Sequence, residues 1–580
     1  MGKDTKEVPS GIVLKDVYKG YKKDQDKLCP PAETIIRVRQ RLGQIGQRIL
    51  LKTMRIDPGR LGIPVFISLC GPDAVSLIGT QKQMGKGLSP AQAEASALME
   101  LVERYSFFSF LKKPPFVRAP FKAVAKQAMP SELFFASLHD QTSDRGAGLA
   151  LLEKLPLDWV WARNLTNDRD ELIPLDWFFL INEYNGPAAG NCLEEAINQA
   201  LAEVVERHAA SVVDYEQLAT PTIDPGSIPE GQAKEALGRF QREGICLVLK
   251  DFSLDTGIPT VAALAWDPAS QGKSEIVFQA GTTTDPQKSL IRALTEVQQM
   301  ACDFQMPTTY RPTLPKFSSL EEAWYLTRPS KLVPLTNLPC LADDNLRVEI
   351  EAQVAALARL NLPVYAVNVT HPELGLPAVY VIVPGAHFRA RTRDGSIIFH
   401  AAKLASAHPE EPESAAVLEA MTATWPDYYA LHFFRGLSLE RAGRPEEALP
   451  HLKRALTLKP NQTDRPAVLT HLAACLKDLG LFREAIEYLE QAKSLAEAEW
   501  EIHHLTGVCR YNLQEHEAAI ESFARAIEIA PGSGIDYANI GSCLRQMGLK
   551  AEAVKMYRMG LELDPSLDFA RQNIARLTDG

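Results

Sequence analysis

Small and apolar residues recur at a fixed spacing in the C-terminal part of the sequence. Four small residues stand 37, 34 and 34 positions apart, and each is followed twelve residues later by an alanine. The pairs are Gly436 and Ala448, Ala473 and Ala485, Gly507 and Ala519, and Gly541 and Ala553. Small residues let two helices approach closely, and the prolines that close three of the four units cannot continue a helix. The pattern predicts about four pairs of antiparallel helices over residues 426–580, with a capping helix at the end.

The pattern before residue 400 mixes two periods. Runs such as VYAVNVT are typical of strands, whereas SPAQAEASALMELVERY has the spacing of an amphipathic helix. Residues 1–400 are therefore predicted to form an α+β domain. Residues 401–425 are rich in proline, acidic residues and alanine, which predicts a linker followed by a short helix.

Three predicted helices of the α+β domain carry acidic side chains on an otherwise apolar surface. Residues three or four positions apart share one face of a helix, so each set forms a stripe with an arginine beside it. The stripes are Ser96, Glu100, Glu103 and Arg104; then Asn191, Glu195, Gln199, Glu203, Glu206 and Arg207; then Arg292, Glu296 and Gln299.

Burying several carboxylates together costs several kcal/mol for each unpaired charge unless cations compensate. Salt bridges to the arginines are one answer. Divalent metal is another, and Mg²⁺ suits an all-oxygen set better than zinc because neither histidine nor cysteine joins the stripes. The remaining alternative is three partly exposed helices with ordinary ion pairs, but their number favours a shared site.

The composition narrows the class of protein. Hydrophobic residues make up 46% of the 580 residues and charged residues 23%, as in folded globular proteins. The net charge of −10 disfavours nucleic acid as a partner. No apolar run approaches a membrane span, and the start, MGKDTKEVPSG, lacks the apolar region of a signal peptide. A cytoplasmic protein without a membrane partner is expected.

Two familiar kinds of site are excluded by spacing. The nine cysteines include no C-x-x-C pair, which disfavours a thiolate zinc site. The stretch GTQKQMGKG resembles a phosphate-binding loop, but it has five residues before Gly85 and no hydroxyl after Lys86, so it is rejected.

The motifs together resemble the YcaO family. They are Lys86-Gly87, then Ser96-x-x-x-Glu100-x-x-Glu103-Arg104, then Asn191 through Glu203-x-x-Glu206-Arg207, then R-A-L-T-E-x-x-Q ending at Gln299. The likeness covers roughly residues 30–390. The segment with Asp57, Arg60, Gly62, Ile63 and Pro64 is similar to the branch often paired with TfuA-like proteins.

This resemblance implies an enzyme that uses ATP and Mg²⁺ to activate a backbone amide, with the roles divided among the striped residues. The implied metal ligands are Glu100, Glu103, Glu195, Glu203, Glu206 and Glu296. The implied nucleotide-binding residues are Lys86, Ser96, Arg104, Asn191, Gln199, Arg207 and Arg292. Glu203 and Glu206 are implied to be catalytic.

The resemblance leaves the product open. A Cys, Ser or Thr side chain beside the amide would give an azoline, and an external sulfur donor would give a thioamide. Many members have Ser-Arg after the third motif, whereas this chain has Met300-Ala301, which puts one phosphate contact in doubt. Azoline-forming members commonly end in a proline-rich tail, whereas this chain runs into helical repeats. An accessory role in methylthiolation of a ribosomal protein, or a scaffold with a decayed nucleotide site, is the alternative.

The C-terminal pattern resembles the tetratricopeptide repeat. That resemblance implies a groove that binds a peptide or protein substrate, a TfuA-like or other protein partner, or a second copy of the chain in a homodimer. Two further side chains have two interpretations each. Cys192 is a sulfur carrier or a structural residue at a helix start, and His208 is a general base or a satisfied, partly buried histidine.

Overall fold

A computed structural model gives the fold. It describes residues 9–578 except 113–116, 135, 137, 139, 141, 270–275, 302–303, 305–316 and 389–395. Residues 1–8, on which the expectation about a signal peptide rests, lie outside the described residues. The chain forms two compact units, and the first contains residues 9–142 and 157–396. The second contains residues 143–156 and 397–578.

The first unit mixes helices and strands, as predicted. In chain order its elements begin with α1 (Pro31–Gln44), β1 (Leu50–Arg55), β2 (Val65–Cys70), α2 (Pro72–Ile78), β3 (Lys82–Lys86), α3 (Pro90–Lys112), β4 (Val117–Ala119) and α4 (Phe121–Val124). Helix α5 (Arg145–Leu152) follows and belongs to the second unit.

The first unit then resumes. Its further elements are β5 (Leu157–Asn164), β6 (Arg169–Pro174), α6 (Leu175–Asn182), β7 (Pro187–Ala189), α7 (Leu193–Glu216), β8 (Thr222–Ile223), α8 (Gln232–Arg242), β9 (Cys246–Asp251), β10 (Thr260–Trp266), β11 (Val277–Thr282), α9 (Pro286–Ala301), α10 (Trp324–Thr327), β12 (Leu332–Val333), α11 (Leu346–Ala358), β13 (Tyr365–Asn368) and β14 (Ala378–Ile382).

The strands among the described residues form three sheets. The first has the order β1-β2-β3 and the second the order β11-β10-β9-β8-β12. The third has the order β4-β5-β13-β14-β7, with β6 paired to β5. All the strand pairs are antiparallel except β8 with β12. Buried side chains of α8 and α9 pack on the second sheet, and those of α7 and α11 pack on the third.

Each acid-striped helix packs directly on a glycine in or just after the preceding strand. An added Cβ would lie 2.0 Å from the Ala97 nitrogen at Gly85, 2.5 Å from the Ala196 nitrogen at Gly190, and 2.4 Å from the Ala293 nitrogen at Gly281. Real Cβ atoms do not approach a backbone atom this closely, so only glycine fits at these positions. The three helices α3, α7 and α9 are therefore held at close range by the same device.

The second unit is helical throughout its described residues. After α5 it contains α12 (Ile397–Ala407), α13 (Pro412–Thr424), α14 (Tyr429–Arg441), α15 (Pro445–Thr457), α16 (Arg465–Asp478), α17 (Phe482–Leu495), α18 (Trp500–Asn512), α19 (His516–Ile529), α20 (Gly534–Gln546), α21 (Lys550–Leu563) and α22 (Asp568–Thr578). The four predicted pairs are α14 to α21, and α22 is the predicted capping helix.

The small residues of the repeat face large side chains of the partner helix. A Cβ on Gly436 would meet Leu452 at 2.6 Å, and one on Gly507 would meet Phe523 at 2.6 Å. These contacts explain the periodicity in physical terms, because a larger residue at either glycine would push the two helices of its repeat apart.

The segment predicted as a linker followed by a short helix contains helical residues in both of its halves. Residues 401–425 contain most of α12 and all of α13, and both helices belong to the second unit. Helix α12 packs on α5, where Gly148 lets Ile397 approach to 2.6 Å of an added Cβ. The alanine residues of this segment allow the close helix packing. Because linkers are also rich in alanine, composition alone cannot distinguish a closely packed helix from a linker.

A buried carboxylate joins the last two repeats. Asp536, fully buried, accepts hydrogen bonds from Trp500 Nε1 at 2.7 Å, from Ser533 Oγ at 2.6 Å and from His504 Nδ1 at 2.7 Å. The three donors, which are themselves partly buried, would lose this acceptor if the carboxylate were removed.

Asp536→Ala is therefore expected to destabilise α18–α21 by about 3 kcal/mol, because three hydrogen bonds to a fully buried carboxylate are lost at once. Hydrogen exchange of the full chain should show amides of these helices exchanging roughly 100-fold faster. Glu528→Ala is the control, since its side chain is 64% exposed and pairs only with Arg525 at the surface. Equal protection in wild type and Asp536→Ala would contradict the structural role of this carboxylate.

No described helix combines the length and apolar character needed to cross a membrane.

Candidate functional site

One cavity of about 820 Å³ gathers the predicted site residues. All thirteen line it, namely Lys86, Ser96, Glu100, Glu103, Arg104, Asn191, Glu195, Gln199, Glu203, Glu206, Arg207, Arg292 and Glu296. The stripes of α3, α7 and α9 therefore line one shared cavity, whereas the alternative was three partly exposed helices with ordinary ion pairs. The individual roles of these residues stay predictions.

The α3 wall carries two largely buried carboxylates. Burial raises the pKa of Glu103 to about 8, although the Arg104 guanidinium acts in the opposite direction. Burial also raises the pKa of Glu100. Arg104 Nε lies 3.4 Å from Glu103 Oε1, and its guanidinium lies 5.5 Å above the Tyr184 ring. The raised pKa values show that Arg104 alone does not compensate the ionised forms of both carboxyls, so a bound cation would favour them.

The α7 wall contains both partnered and unpartnered carboxylates. Glu195 accepts from Asn191 Nδ2 at 3.0 Å and from the Leu28 amide at 2.9 Å. Glu206 accepts from Arg292 Nε at 2.9 Å and from the Thr282 amide at 3.0 Å. Glu203, between them on the same face, forms no hydrogen bond or ion pair with any described residue.

The third wall brings a lysine against an acid. Lys86, at the end of β3, contacts Glu296 of α9 through an ion pair. Burial and the nearby Arg292 lower the pKa of Lys86 to about 7, while the charges of Glu206 and Glu100 act in the opposite direction. An anion of high charge entering beside Lys86 and Arg292 would be stabilised by both cations.

The donor set fits Mg²⁺ that shares its ligands with a phosphate. Within the described ranges, no three His, Cys, Asp or Glu side chains form a ready-made metal site. Mg²⁺ usually binds through one or two carboxylates and completes its shell with water and substrate phosphates. Glu100, Glu103 and Glu203 are the carboxylates with charge left to neutralise, so they would hold it best.

Three features singled out in the sequence lie outside this site. Met300 packs on the apolar core of the second sheet, and neither it nor Ala301 lines the cavity. His208 accepts a hydrogen bond at Nδ1 from the His387 amide at 3.0 Å, which agrees with the satisfied histidine. Cys192 caps α7 by accepting from the Glu195 amide, and burial raises the pKa of its thiol to about 12, which agrees with a structural residue.

Sequence patterns missed the segment before α1. Gln25, Lys27 and Cys29 line the cavity, and Lys27 Nζ lies 3.7 Å from Glu195 Oε1. This segment contains neither a helix nor a strand, so it has no period to detect. Gln92 was also missed, although it lies four residues before Ser96 and so extends the α3 stripe by one turn.

Comparisons with known proteins find matches in both parts of the chain. A family model described as YcaO cyclodehydratase, ATP- and Mg²⁺-binding, matches residues 84–387. Tetratricopeptide repeat models match residues 427–498, 476–534 and 537–567.

Two relatives and one solved structure extend the comparison. An uncharacterized protein of Methanothermobacter thermautotrophicus is 29% identical over 381 residues, which cover 61% of this chain and 93% of that protein. An uncharacterized protein in the tfuA 3′ region of Rhizobium leguminosarum bv. trifolii is 26% identical, over 49% of this chain and 69% of that protein. The structure of a heterocyclase in complex with substrate and cofactor is similar with a TM-score of 0.51 at 22% identity, over 65% of this chain and 54% of that one.

Proposed function

The chain belongs to the YcaO family of ATP- and Mg²⁺-binding cyclodehydratases, and we propose that it uses Mg-ATP to activate a backbone amide of a peptide. The observation that carries the proposal is the meeting of seven carboxylates and five cations in the lining of one cavity. Such a set suits the transfer of a phosphoryl group, because catalysis there consists of positioning and charge neutralisation.

The proposed reaction consumes ATP and, for a thioamide, hydrosulfide. The nucleophile adds to the amide carbon, and a side-chain nucleophile gives its proton to a base. The oxygen of the adduct then takes the γ-phosphoryl group of ATP, and ADP leaves. Phosphate departs with the former amide oxygen. With a peptide side chain as nucleophile, the amide nitrogen loses its proton to a base and forms a C=N bond, which gives an azoline. With hydrosulfide, the sulfur loses its remaining proton and forms a C=S bond, which gives a thioamide.

The site residues have two main roles in this proposal, which are binding of the phosphate oxygens and binding of Mg²⁺. Lys86, Arg104, Arg207 and Arg292 neutralise phosphate oxygens, with Ser96, Asn191 and Gln199 as hydrogen-bonding groups. Glu100, Glu103 and Glu203 hold Mg²⁺. Glu206 keeps Arg292 in place through the bond from Nε, and together with Glu203 it faces the reacting atoms.

Calorimetric titration of the full chain with ATP tests the proposal. We expect binding that is at least about tenfold tighter with Mg²⁺ than with a chelator, because the metal removes the repulsion between carboxylates and phosphates. Equal affinity under both conditions would exclude the metal-bridged site. A second readout follows the chemistry. A peptide labelled with oxygen-18 at the modified amide should deliver the label to inorganic phosphate.

A second candidate is an accessory or scaffolding protein, for example in methylthiolation of a ribosomal protein, and the four repeats favour it. Partners would then bind through the repeats, and a homodimer or a TfuA-like partner is compatible with either function. Scaffolding would survive a change that abolishes ATP binding, whereas amide activation would not. The Met300-Ala301 departure supports scaffolding less than the sequence suggested, because neither residue lines the cavity.

A further inference from the structure

A cluster of aromatic side chains borders the cavity beside the C-terminal end of the α3 stripe. Phe108 of α3 and Tyr184, in the turn after α6, both line the cavity. Their ring centroids lie 5.8 Å apart, and the ring of Phe179 lies 6.2 Å from that of Tyr184. Tyr184 is 48% exposed, and the other two side chains are partly exposed. The three rings form an apolar surface open to solvent, which we call the aromatic shelf.

The turn that carries Tyr184 has a strained backbone conformation. The Asn185 amide donates to the Asn182 carbonyl at 3.0 Å, which closes a four-residue turn with Glu183 and Tyr184 at its tip. Glu183 has φ +50° and ψ −117°, a combination that glycine adopts easily and residues with a Cβ do not. Strained residues of this kind cluster at sites that bind ligands. The turn therefore places Tyr184 at the cavity at a cost in folding free energy that a glycine at position 183 would avoid.

Arg104 connects the aromatic shelf with the carboxylates that are proposed to hold Mg²⁺. Its guanidinium lies 5.5 Å above the Tyr184 ring, and its Nε lies 3.4 Å from Glu103 Oε1. A single arginine side chain thus spans the distance between the shelf and a proposed metal ligand. Successive residues of an extended peptide are about 3.3 Å apart. A peptide whose amide meets the γ-phosphate beside this metal would therefore bring a neighbouring side chain to the shelf.

We infer that the aromatic shelf binds the side chain next to the activated amide and selects peptides with an aromatic residue there, an inference that rests on the proposed amide activation. Aromatic rings pack best in tilted or edge-to-face arrangements. The shelf already shows this geometry, with 44° between the rings of Phe108 and Tyr184 and 80° between those of Phe179 and Tyr184. A further ring from the peptide would extend the cluster and cover its exposed part.

The position of the shelf suits the peptide better than the base of the nucleotide. In ATP, the ribose and two further phosphates separate the base from the γ-phosphate, whereas the amide oxygen must touch that phosphate. The shelf lies beside Arg104 and Glu103, which are proposed to contact the phosphates and the metal. Its exposure also fits a substrate that continues out of the cavity, since a peptide has residues on both sides of the modified amide.

The test compares two small probes that differ only in the side chain that the shelf would bind. The full chain, saturated with the Mg complex of the β,γ-methylene analogue of ATP, is titrated with N-acetyl-phenylalanine methylamide and with N-acetyl-alanine methylamide, and binding is followed by NMR line broadening. Wild type should bind the phenylalanine probe at least about tenfold more tightly, because a phenyl ring is buried on the shelf. Tyr184→Ala should bind both probes with equal affinity, whereas Tyr184→Phe should keep the preference because it keeps the ring.

Tyr215→Ala is the matched control, since Tyr215 is an exposed tyrosine near the C-terminal end of α7 that does not line the cavity, and the preference should be retained. Equal or undetectable binding of the two probes by wild type overturns the inference, as does a preference that persists in Tyr184→Ala. Weaker binding of the ATP analogue by Tyr184→Ala would place the nucleotide base on the shelf, which overturns the inference and leaves the proposed use of ATP intact. Absence of nucleotide binding by wild type overturns the proposed function, and the role of the shelf in it.

Discussion

Glu203→Gln is expected to weaken Mg²⁺-dependent ATP binding at least about a hundredfold, while the chain folds as before. Glu203 faces the cavity and forms no ion pair or hydrogen bond with a described residue. Its charge therefore contributes no pairing interaction to the stability of the described fold. Its negative charge repels Glu103 and Glu100 in the absence of a cation. Glutamine keeps the shape but cannot neutralise a divalent ion.

The measurement is calorimetric titration of Mg-ATP into the full-length variant, accompanied by thermal unfolding. Because a repelling charge is removed, the melting temperature should stay constant or rise, which separates lost binding from lost folding. Glu216→Gln at the exposed C-terminal end of the same helix is the control, and its affinity should equal that of wild type. Unchanged affinity in Glu203→Gln would remove this residue from the site. A variant that loses binding and still performs its cellular role would favour the scaffold.

Gly281→Val should disrupt both folding and binding. The Cβ alone would lie 2.4 Å from the Ala293 nitrogen and 2.5 Å from the Ser289 oxygen, so α9 must move away from β11. Overpacking of this kind costs about 1–3 kcal/mol, and backbone contacts place this site near the upper end. The displacement carries Arg292 and Glu296 with it, so ATP affinity should fall at least about tenfold.

Urea unfolding and nucleotide titration of the same sample give both quantities. Gly43→Ala is the matched control, because an added Cβ at this glycine of α1 meets nothing within 4 Å. That change should leave binding intact and stabilise the helix by up to about 1 kcal/mol. Normal ATP affinity in a destabilised Gly281→Val would show that α9 does not shape the phosphate end of the cavity.

Features with a helical period could be predicted from the sequence, whereas those that depend on distant contacts could not. The repeats were predictable because a small residue, such as Gly436 or Gly507, recurs at the point where the two helices of each repeat pack together. The cavity was predictable because a stripe of carboxylates on an apolar helix needs a cation nearby, and three such stripes can share a single cation site.

The segment with Lys27 and Cys29 was not predictable, because it is fixed by contacts to residues such as Glu195, far away in the sequence. Helix α12, in the first half of the predicted linker, was not predictable for a related reason. The role of α12 depends on α5, about 250 residues earlier.

Helix α5 also determines how the molecule can be divided. Its sequence interrupts the first unit, yet it packs within the second, so the chain passes between the units three times. A gene truncated after residue 396 would encode α5 without α12, leaving the face around Gly148 bare and prone to aggregation. A fragment starting at residue 397 would contain α12 without α5, so it would lack the same contact. Functional dissection is therefore better done with point variants of the whole polypeptide than with separately expressed pieces.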